Sequence, residues 1–287
     1  MFFKFFVHDV RNGILGHKAR FLVGFLAFFC LSSYHFLTLR IYELTNPEYF
    51  QSPVTTGDYI LFLIGGCGKV EKLPGGGTTF LMPVMWMLFM LWILFASLHY
   101  PFADLGGIGK TMLCLSGQRE IWWFSKCLWA VCNTLVNYLL ILAASTLAGL
   151  CFGASVSVQA NVYLFRELEM NQQTLTTQTT WNILPLLLLM VLVLVTLVLL
   201  QMMLSAAAKP QLAYLLLVAY LFAGAYLQSP ALLGNFAMPA RSSLLTKTGL
   251  HPLTGVLLCL WIMAFSVLFG WVLFEHKDIC LCVIKKQ

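Results

Sequence analysis

The sequence contains few charged residues. Asp, Glu, Lys and Arg make up 10% of its 287 residues, whereas hydrophobic residues make up 60%. Soluble globular domains carry about 25% charged residues, so this composition excludes an ordinary soluble protein. The hydrophobic segments take up most of the length and leave no room for a soluble catalytic domain of about 100 residues. We therefore predict one all-α, polytopic transmembrane domain over residues 1–287.

Reactive and ligand-binding groups are also scarce. The hydrophobic segments contain neither paired carboxylates nor a Ser/His/Asp set, and His35 is their only strongly titratable side chain. The nine cysteines are scattered, and Cys280 and Cys282 have no second pair of metal ligands in the sequence. Residues 106–111 resemble the end of a phosphate-binding loop, but Asp104 stands where that loop requires its first glycine. We predict no catalytic, cofactor or metal site in this chain and, without a dense basic cluster, no nucleic-acid binding.

Six segments are long enough to cross a hydrocarbon core, which takes about 20 apolar residues. They are residues 21–39, 80–98, 127–151, 182–204, 211–228 and 253–274, and none contains Asp, Glu, Lys or Arg. The sequence therefore predicts six transmembrane helices.

Basic residues predict the orientation of these spans, because they are enriched on the cytoplasmic side. With the N-terminus inside, the cytoplasmic side carries Lys4, Arg11, Lys18, Arg20, Lys110, Arg119, Lys126, Lys209, Lys277, Lys285 and Lys286. The outer side carries Arg40, Lys69, Lys72, Arg166, Arg241 and Lys247. Both termini are therefore predicted to be cytoplasmic.

Residues 1–20 have the pattern of an interfacial helix that lies flat on a membrane. Its apolar stripe contains Phe3, Phe6, Val7, Val10 and Ile14, and its opposite side carries Lys4, His8 and Arg11. A signal peptide fits this segment poorly, because Lys4 interrupts the early apolar run and no small-residue cleavage site follows the next segment.

The connection between the second and third spans, residues 104–126, combines a broken amphipathic helix with polar residues. Ile108, Met112 and Leu115 are spaced for one apolar helix face, with Lys110 off that face. Ser116 and Gly117 interrupt the helix, and a second helix is predicted to begin at the polar residues Gln118, Arg119 and Glu120. Trp122 and Trp123 are predicted at the lipid boundary, with Lys126 extending back to the headgroups.

Two segments predicted on the outer side contain further local signals. Thr55 and Asp58 are spaced as a helix cap before a short apolar run, which predicts a half-buried interfacial helix. Residues 75–77 are three glycines, which predict a flexible turn before the second span. Residues 228–252 contain three prolines and cannot form one continuous helix, so short re-entrant or interfacial pieces are predicted there.

Uncharged polar residues occur within the third and fourth spans. They include Asn133 and Asn137 on the third span and Thr196 and Gln201 on the fourth. Such side chains either bond neighbouring helices or line a weakly polar path, and bonding between helices is the commoner role.

Together these features resemble the permease subunit of a type-2 ABC exporter. The shared features are the basic N-terminal helix, the six spans, the broken connection between spans two and three and the broken outer segment between spans five and six. Residues 115–126 are also similar to a run of Ser, Arg, Trp and Lys that follows the coupling helix in many of these permeases. The Gly57-Asp58-Tyr59 run, Trp86 and Tyr100-Pro101 resemble bacterial members of the class.

The resemblance implies a function in ATP-driven export at a bacterial plasma membrane. Two permease subunits, identical or paralogous, would form the path through the lipid bilayer, and separate ABC ATPase subunits would bind ATP and Mg²⁺. The ATPases would contact the coupling segment, with the contact made by Ile108, Lys110, Met112, Leu115, Gln118, Arg119 and Glu120. The absence of charged residues from the spans favours an amphipathic or hydrophobic cargo, such as a peptide, a natural product or a lipid-like molecule.

Two other classes of function stay open on sequence alone. A membrane-embedded enzyme would need reactive groups near the interface, and the candidates are His99, Asp104, His251 and His276. On the predicted topology, His251 lies on the opposite side of the membrane from the other three. The chain could also be a membrane assembly or sensor protein that transports nothing.

Overall fold

The computed structural model of the protein describes residues 2–45, 54–70, 80–161, 180–246 and 248–277. Its helices are α1 (Phe2–Asp9), α2 (Lys18–Thr45), α3 (Thr56–Ile64), α4 (Val84–Leu98), α5 (Tyr100–Ala103), α6 (Ile108–Ser116), α7 (Arg119–Cys151), α8 (Leu184–Ala207), α9 (Pro210–Tyr226) and α10 (Pro252–Glu275). Two short strands, β1 (Gln159–Asn161) and β2 (Thr180–Asn182), pair antiparallel. The predictions for residues 75–77 and for Cys280 and Cys282 lie outside the described residues. The predicted all-α membrane class is confirmed.

Five helical segments in the described ranges are long and apolar enough to cross a membrane. They are Phe2–Thr45, Val84–Gly106, Arg119–Cys151, Leu184–Ala207 and Pro252–Glu275. The predicted span at residues 211–228 corresponds to α9, which has 17 residues. At 1.5 Å per residue, α9 is about 26 Å long, slightly less than a hydrocarbon core of about 30 Å. The chain is therefore a multi-pass helical membrane protein with at least five candidate spans.

Helix α8 forms the centre of the bundle. It packs against α4, α7, α9 and α10, and apolar residues on all its sides are buried, including Val193, Leu194 and Leu197. A helix that is hydrophobic all round is suited to such a position. By contrast, α10 exposes large apolar side chains such as Leu257 and Trp261, as expected for a helix with one side toward lipid.

Helices α7 and α10 approach closely at a glycine. A Cβ atom on Gly270 would lie 2.3 Å from a ring carbon of Trp123, and the Trp123 indole donates a hydrogen bond of 2.9 Å to the Val267 carbonyl. Trp122 stacks on Phe274 with 4.4 Å between ring centroids. Both tryptophans are fully buried, so their prediction as lipid-boundary anchors is wrong: the rings fill the helix–helix interface.

Helix α3 begins with the predicted cap. The Thr55 hydroxyl accepts a hydrogen bond from the Asp58 N–H, and the Asp58 carboxylate accepts one from the Thr55 N–H. Burial raises the pKa of the Asp58 carboxyl, while its backbone donors at Thr55 and Asn161 act in the opposite direction. All nine residues of α3 are buried against protein. The half-buried interfacial position predicted for this helix is therefore wrong, because α7 and β1 cover it.

The segment between α9 and α10 is broken, as the three prolines predict. It forms two short 3₁₀ turns, Leu233–Ala237 and Pro239–Arg241. Arg241 is 1% exposed, and its guanidinium donates to the carbonyls of Gly224, Ala225 and Leu227 at the end of α9. A positive charge at the C-terminal end of a helix is favourable because helix carbonyls point there. Arg241 therefore fixes this segment onto α9.

Candidate coupling site

The coupling segment, residues 104–126, has the predicted break. Helix α6 ends at Gly117, which adopts a left-handed conformation with φ of 65°. The Gly117 N–H donates to the Leu113 carbonyl at 3.0 Å, and α7 begins two residues later at Arg119. Glycine adopts this conformation without the steric cost that a Cβ atom brings, so it commonly ends helices. The sequence correctly predicted two helices with a sharp turn between them.

Helix α6 leaves much of its apolar surface uncovered. Leu113 is buried and Met112 is partly buried against the core, but Ile108 is 65% exposed and Leu115 is 81% exposed. The predicted apolar face of Ile108, Met112 and Leu115 is therefore split, because α6 turns Leu113 inward instead. Two large apolar side chains, one at each end of a nine-residue helix, remain uncovered within the described residues.

The polar residues that were predicted to contact an ATPase differ in exposure and in hydrogen bonding. Gln118 and Glu120 are exposed, and Lys110 is half-buried. Arg119 donates from Nη1 to the Glu275 carbonyl at 2.5 Å and to the Lys277 carbonyl at 3.2 Å. Arg119 therefore joins the start of α7 to the end of α10.

The charged group at the other end of the segment is buried. Lys126 is fully buried, and its ammonium group contacts Asp9 Oδ1 and, at 2.6 Å, Asp104 Oδ2. His8 Nε2 lies 3.3 Å from Asp104 Oδ1. We call Asp9, Asp104, Lys126 and His8 the ion cluster. The prediction that Lys126 extends to the headgroups is wrong, because two carboxylates hold its ammonium inside the protein.

Neutral side chains complete the hydrogen bonding of the ion cluster. The Tyr100 hydroxyl donates to Asp9 Oδ1 at 3.1 Å, and the Ser125 hydroxyl donates to Asp9 Oδ2 at 2.6 Å. The Lys126 ammonium also lies 4.5 Å from the centre of the Tyr100 ring. Buried charges persist in proteins when they are paired and hydrogen-bonded in this way.

The ion cluster joins three separate parts of the chain. Asp9 ends α1, Asp104 begins the 3₁₀ turn before α6, and Lys126 lies on the second turn of α7. Gly109 of α6 packs directly on Asp104, because a Cβ atom there would lie 2.0 Å from Asp104 Oδ2. Asp104 therefore contacts α6 through Gly109, α1 through His8 and α7 through Lys126.

A metal ion is a poor alternative occupant of this site. His8, Asp9 and Asp104 have ligand atoms within 4.8 Å of one another. The Lys126 ammonium already lies between the two carboxylates, in the position that a cation would take. We therefore assign the cluster to a lysine and not to a metal.

The polar residues of α7 that could line a path instead form hydrogen bonds within and between helices. Arg20 donates to Asn133 Oδ1 at 2.9 Å, and Asn133 Nδ2 donates to the Ser97 hydroxyl at 3.0 Å. Asn137 donates to the Asn133 carbonyl one turn earlier at 2.8 Å. Arg20 also donates to the Ala96 carbonyl at 2.7 Å. These bonds tie α2, α4 and α7 together.

The two polar residues on α8 are also buried. Gln201 Nε2 donates to the Leu94 carbonyl of α4 at 3.2 Å, and Thr196 donates to the Leu192 carbonyl of its own helix at 2.8 Å. Gln201 therefore joins α8 to α4, which is the commoner of the two roles that the sequence left open, whereas the Thr196 bond stays within its own helix.

The residues that a membrane-embedded enzyme would use each have a separate set of structural contacts. Asp104 belongs to the ion cluster. His251 caps the start of α10 by accepting from the Leu253 N–H, and His276 contacts the Val272 carbonyl at the other end of the same helix. The fourth candidate, His99, packs edge-on against Phe95 with 6.4 Å between ring centroids. None of these contacts joins two of the four candidates.

Sequence analysis missed the role of Asp9. The signal that could have revealed it is the spacing of Phe5, Asp9 and Gly13, which follow one another at four-residue intervals on one helix face. All three are buried in the structure. A Cβ atom on Gly13 would lie 2.3 Å from the Trp129 indole nitrogen, so this face packs tightly on α7. An aspartate in line with a packed phenylalanine and a packed glycine predicts a buried partner of opposite charge.

Comparison with known proteins identifies a family. No curated protein and no solved structure matches this chain. One family, whose description reads "Protein of unknown function (DUF2705)", matches residues 59–280. The matched region contains most of the chain, including α4 to α10 and the coupling segment, and the chain therefore belongs to the DUF2705 family.

Proposed function

We propose that this protein is the membrane subunit of an ATP-driven ABC exporter in a bacterial plasma membrane. In this proposal it has six spans, with α9 as the fifth, and both termini are cytoplasmic. A second permease subunit, identical or paralogous, completes the path, and separate ATPase subunits hydrolyse ATP. The cargo is amphipathic or hydrophobic.

One observation carries the proposal: an uncovered apolar surface on α6 lies directly beside a buried ion cluster. Ile108 and Leu115 offer the apolar surface that a partner protein would cover. Gly109, a buried residue of the same helix, packs on Asp104 of the cluster. Exposed apolar side chains at a helix mark interaction sites when a partner is available. A push on α6 would reach α1 and α7 through this contact.

The charge distribution is consistent with this arrangement. Lys110 on α6 is half-buried, and Gln118 and Glu120 after the turn are exposed; in this proposal they form a polar rim. Interfaces commonly combine an apolar centre with such a rim. Arg119 has a different role in the proposal: it holds α7 to the end of α10, so that the force reaches the last span as well.

The proposal predicts that Leu115 contacts an ATPase. The tagged chain, expressed in its native host and extracted in mild detergent, should co-purify with a protein that binds and hydrolyses ATP. Leu115→Asp should reduce the bound ATPase at least tenfold, because burying an unpaired charge in an interface is strongly unfavourable. Leu115→Met keeps an apolar side chain of similar size and should retain the ATPase.

Two results would contradict the proposal. One is an intact, folded chain that retains no ATPase in its native host. The other is equal ATPase retention by Leu115→Asp and Leu115→Met, which would move the contact away from α6.

A further inference from the structure

An open apolar groove of about 720 Å³ lies along the first half of helix α8. The first turns of α10, Leu244 of the segment before it and Leu135 of α7 complete the lining. Among the described residues that line the groove, His251 at the start of α10 is the only polar one. Ligand sites in proteins are commonly apolar concavities of about 300–1,000 Å³ with a few polar groups. The groove therefore has the size and composition of a site for an apolar ligand.

The groove extends from one end of the helices to the middle of the bundle. Pro185 lies in the first turn of α8, whereas Val195 lies halfway along this helix of 24 residues. Leu135 likewise lies halfway along α7, which has 33 residues. At 1.5 Å per residue, the rise from Pro185 to Val195 is about 15 Å, which is half of a hydrocarbon core of about 30 Å. This depth equals that of the acyl chains in one leaflet of a bilayer.

The groove opens to the surface of the bundle. Leu188 of α8 is 60% exposed and Leu253 of α10 is 59% exposed, whereas Leu189, which also belongs to the lining, is 5% exposed. In a multi-pass membrane protein, the apolar surface between the helix ends faces lipid. Hydrocarbon fills an apolar concavity at such a surface, because a water molecule there would leave its hydrogen bonds unmade.

His251 supplies a hydrogen-bond donor at the end of the groove. Its Nδ1 atom accepts from the Leu253 N–H at 3.3 Å and so caps α10. A neutral imidazole that accepts at Nδ1 carries its hydrogen on Nε2. In the part of the chain that the structure describes, Nε2 has no hydrogen-bond partner. A free donor therefore stands where the first atoms of a bound chain would lie.

We propose that this groove binds one acyl chain of a bilayer phospholipid, and that His251 donates from Nε2 to the ester carbonyl at the head of that chain. The ester joins the acyl chain to the headgroup, so it lies at the depth where a span begins. A carbonyl needs no charged partner, which agrees with the absence of Lys, Arg, Asp and Glu from the described lining. The site is separate from the coupling segment, because α10 begins at the groove and ends beside Arg119.

Native mass spectrometry of the full-length protein in detergent micelles tests the groove, and it does so without any ATPase or cargo. The protein is titrated with an ester-linked dioleoyl phospholipid, and the Kd of the first bound lipid is measured. Leu188→Trp places a large ring in the groove and should weaken this binding at least tenfold. Leu215→Trp is the matched control, because Leu215 is 62% exposed on α9 and does not line the groove. Equal binding by the two variants would overturn the proposal.

A second variant tests the ester contact. His251→Asn keeps a side chain that caps α10, but this side chain is too short to reach the position of Nε2. It should bind the ester-linked lipid at least threefold more weakly than wild type. It should bind the matched diether lipid, which lacks the ester carbonyls, as well as wild type does. An equal loss with both lipids, or no loss with the ester, would overturn the proposal. Tighter binding of oleic acid, or a lipid-free dimer, would give the groove a different occupant and would likewise contradict it.

Discussion

Replacing Lys126 by methionine should be among the most destabilising single changes in the protein. The substitution keeps an unbranched side chain of similar length but removes the ammonium that contacts Asp9 and Asp104. Two buried carboxylates with ligand atoms within 4.8 Å of each other then lack a counter-ion. Removing one partner from a buried ion pair costs about 3–5 kcal/mol, because the remaining charge stays desolvated.

A neutral triple variant separates the electrostatic cost from lost packing. Lys126→Met combined with Asp9→Asn and Asp104→Asn removes all three charges together. Of the two hydroxyls that donate to separate Asp9 oxygens, one can donate to the asparagine oxygen and the other can accept from the asparagine NH2 group. Because buried ion pairs are often close to neutral against uncharged replacements, the triple variant should recover at least half of the stability that Lys126→Met loses.

Reversible denaturation in mixed micelles, followed by tryptophan fluorescence, measures these differences. Lys18→Met is the matched control, because Lys18 is exposed at the start of α2, and it should change stability by less than about 0.5 kcal/mol. The reasoning would be refuted if Lys126→Met were as mild as Lys18→Met. It would also be refuted if the triple variant were less stable than Lys126→Met alone.

Two further predictions concern buried arginine contacts and helix packing. Arg241→Met should destabilise the protein by about 1–3 kcal/mol for each α9 carbonyl that it leaves unbonded. Arg241→Lys should recover only part of that loss. Equal stability of Arg241→Met and wild type in the same denaturation assay would disprove this prediction. Gly270→Leu should separate α10 from α7, because its side chain would overlap the Trp123 ring, and it should shift tryptophan emission to longer wavelength. A Gly270→Leu spectrum identical to wild type would show that the two helices do not meet there.

Long apolar segments without charged residues correctly predicted a helical membrane protein. Segments without charge, such as residues 182–204, have one stable location, which is the interior of a bilayer or of a helical bundle. Local signals were equally informative: Gly117 ends α6, and Thr55 with Asp58 caps α3. In each case the residues that decide the structure are neighbours in the chain.

Contacts between distant residues could not be predicted in the same way. Lys126 follows two tryptophans at a predicted membrane boundary, so the sequence favoured extension toward headgroups. Its actual partners are Asp9, 117 positions earlier, and Asp104, 22 positions earlier. Helical spacing places Asp9 on the packed face of α1, but it does not say which helix covers that face. Arg119 was likewise assigned to a partner protein by the resemblance, whereas in the structure its guanidinium donates to the Glu275 and Lys277 carbonyls, more than 150 positions away.

Photo-crosslinking from the exposed surface of α6 tests the central claim most directly. A benzophenone amino acid replaces Leu115, which is 81% exposed, or Leu257, which is 61% exposed on the apolar side of α10. After irradiation of native cells, mass spectrometry should identify an ABC ATPase attached at position 115, with no such adduct at position 257. If position 115 yields no ATPase adduct while position 257 captures lipid normally, the coupling account is contradicted.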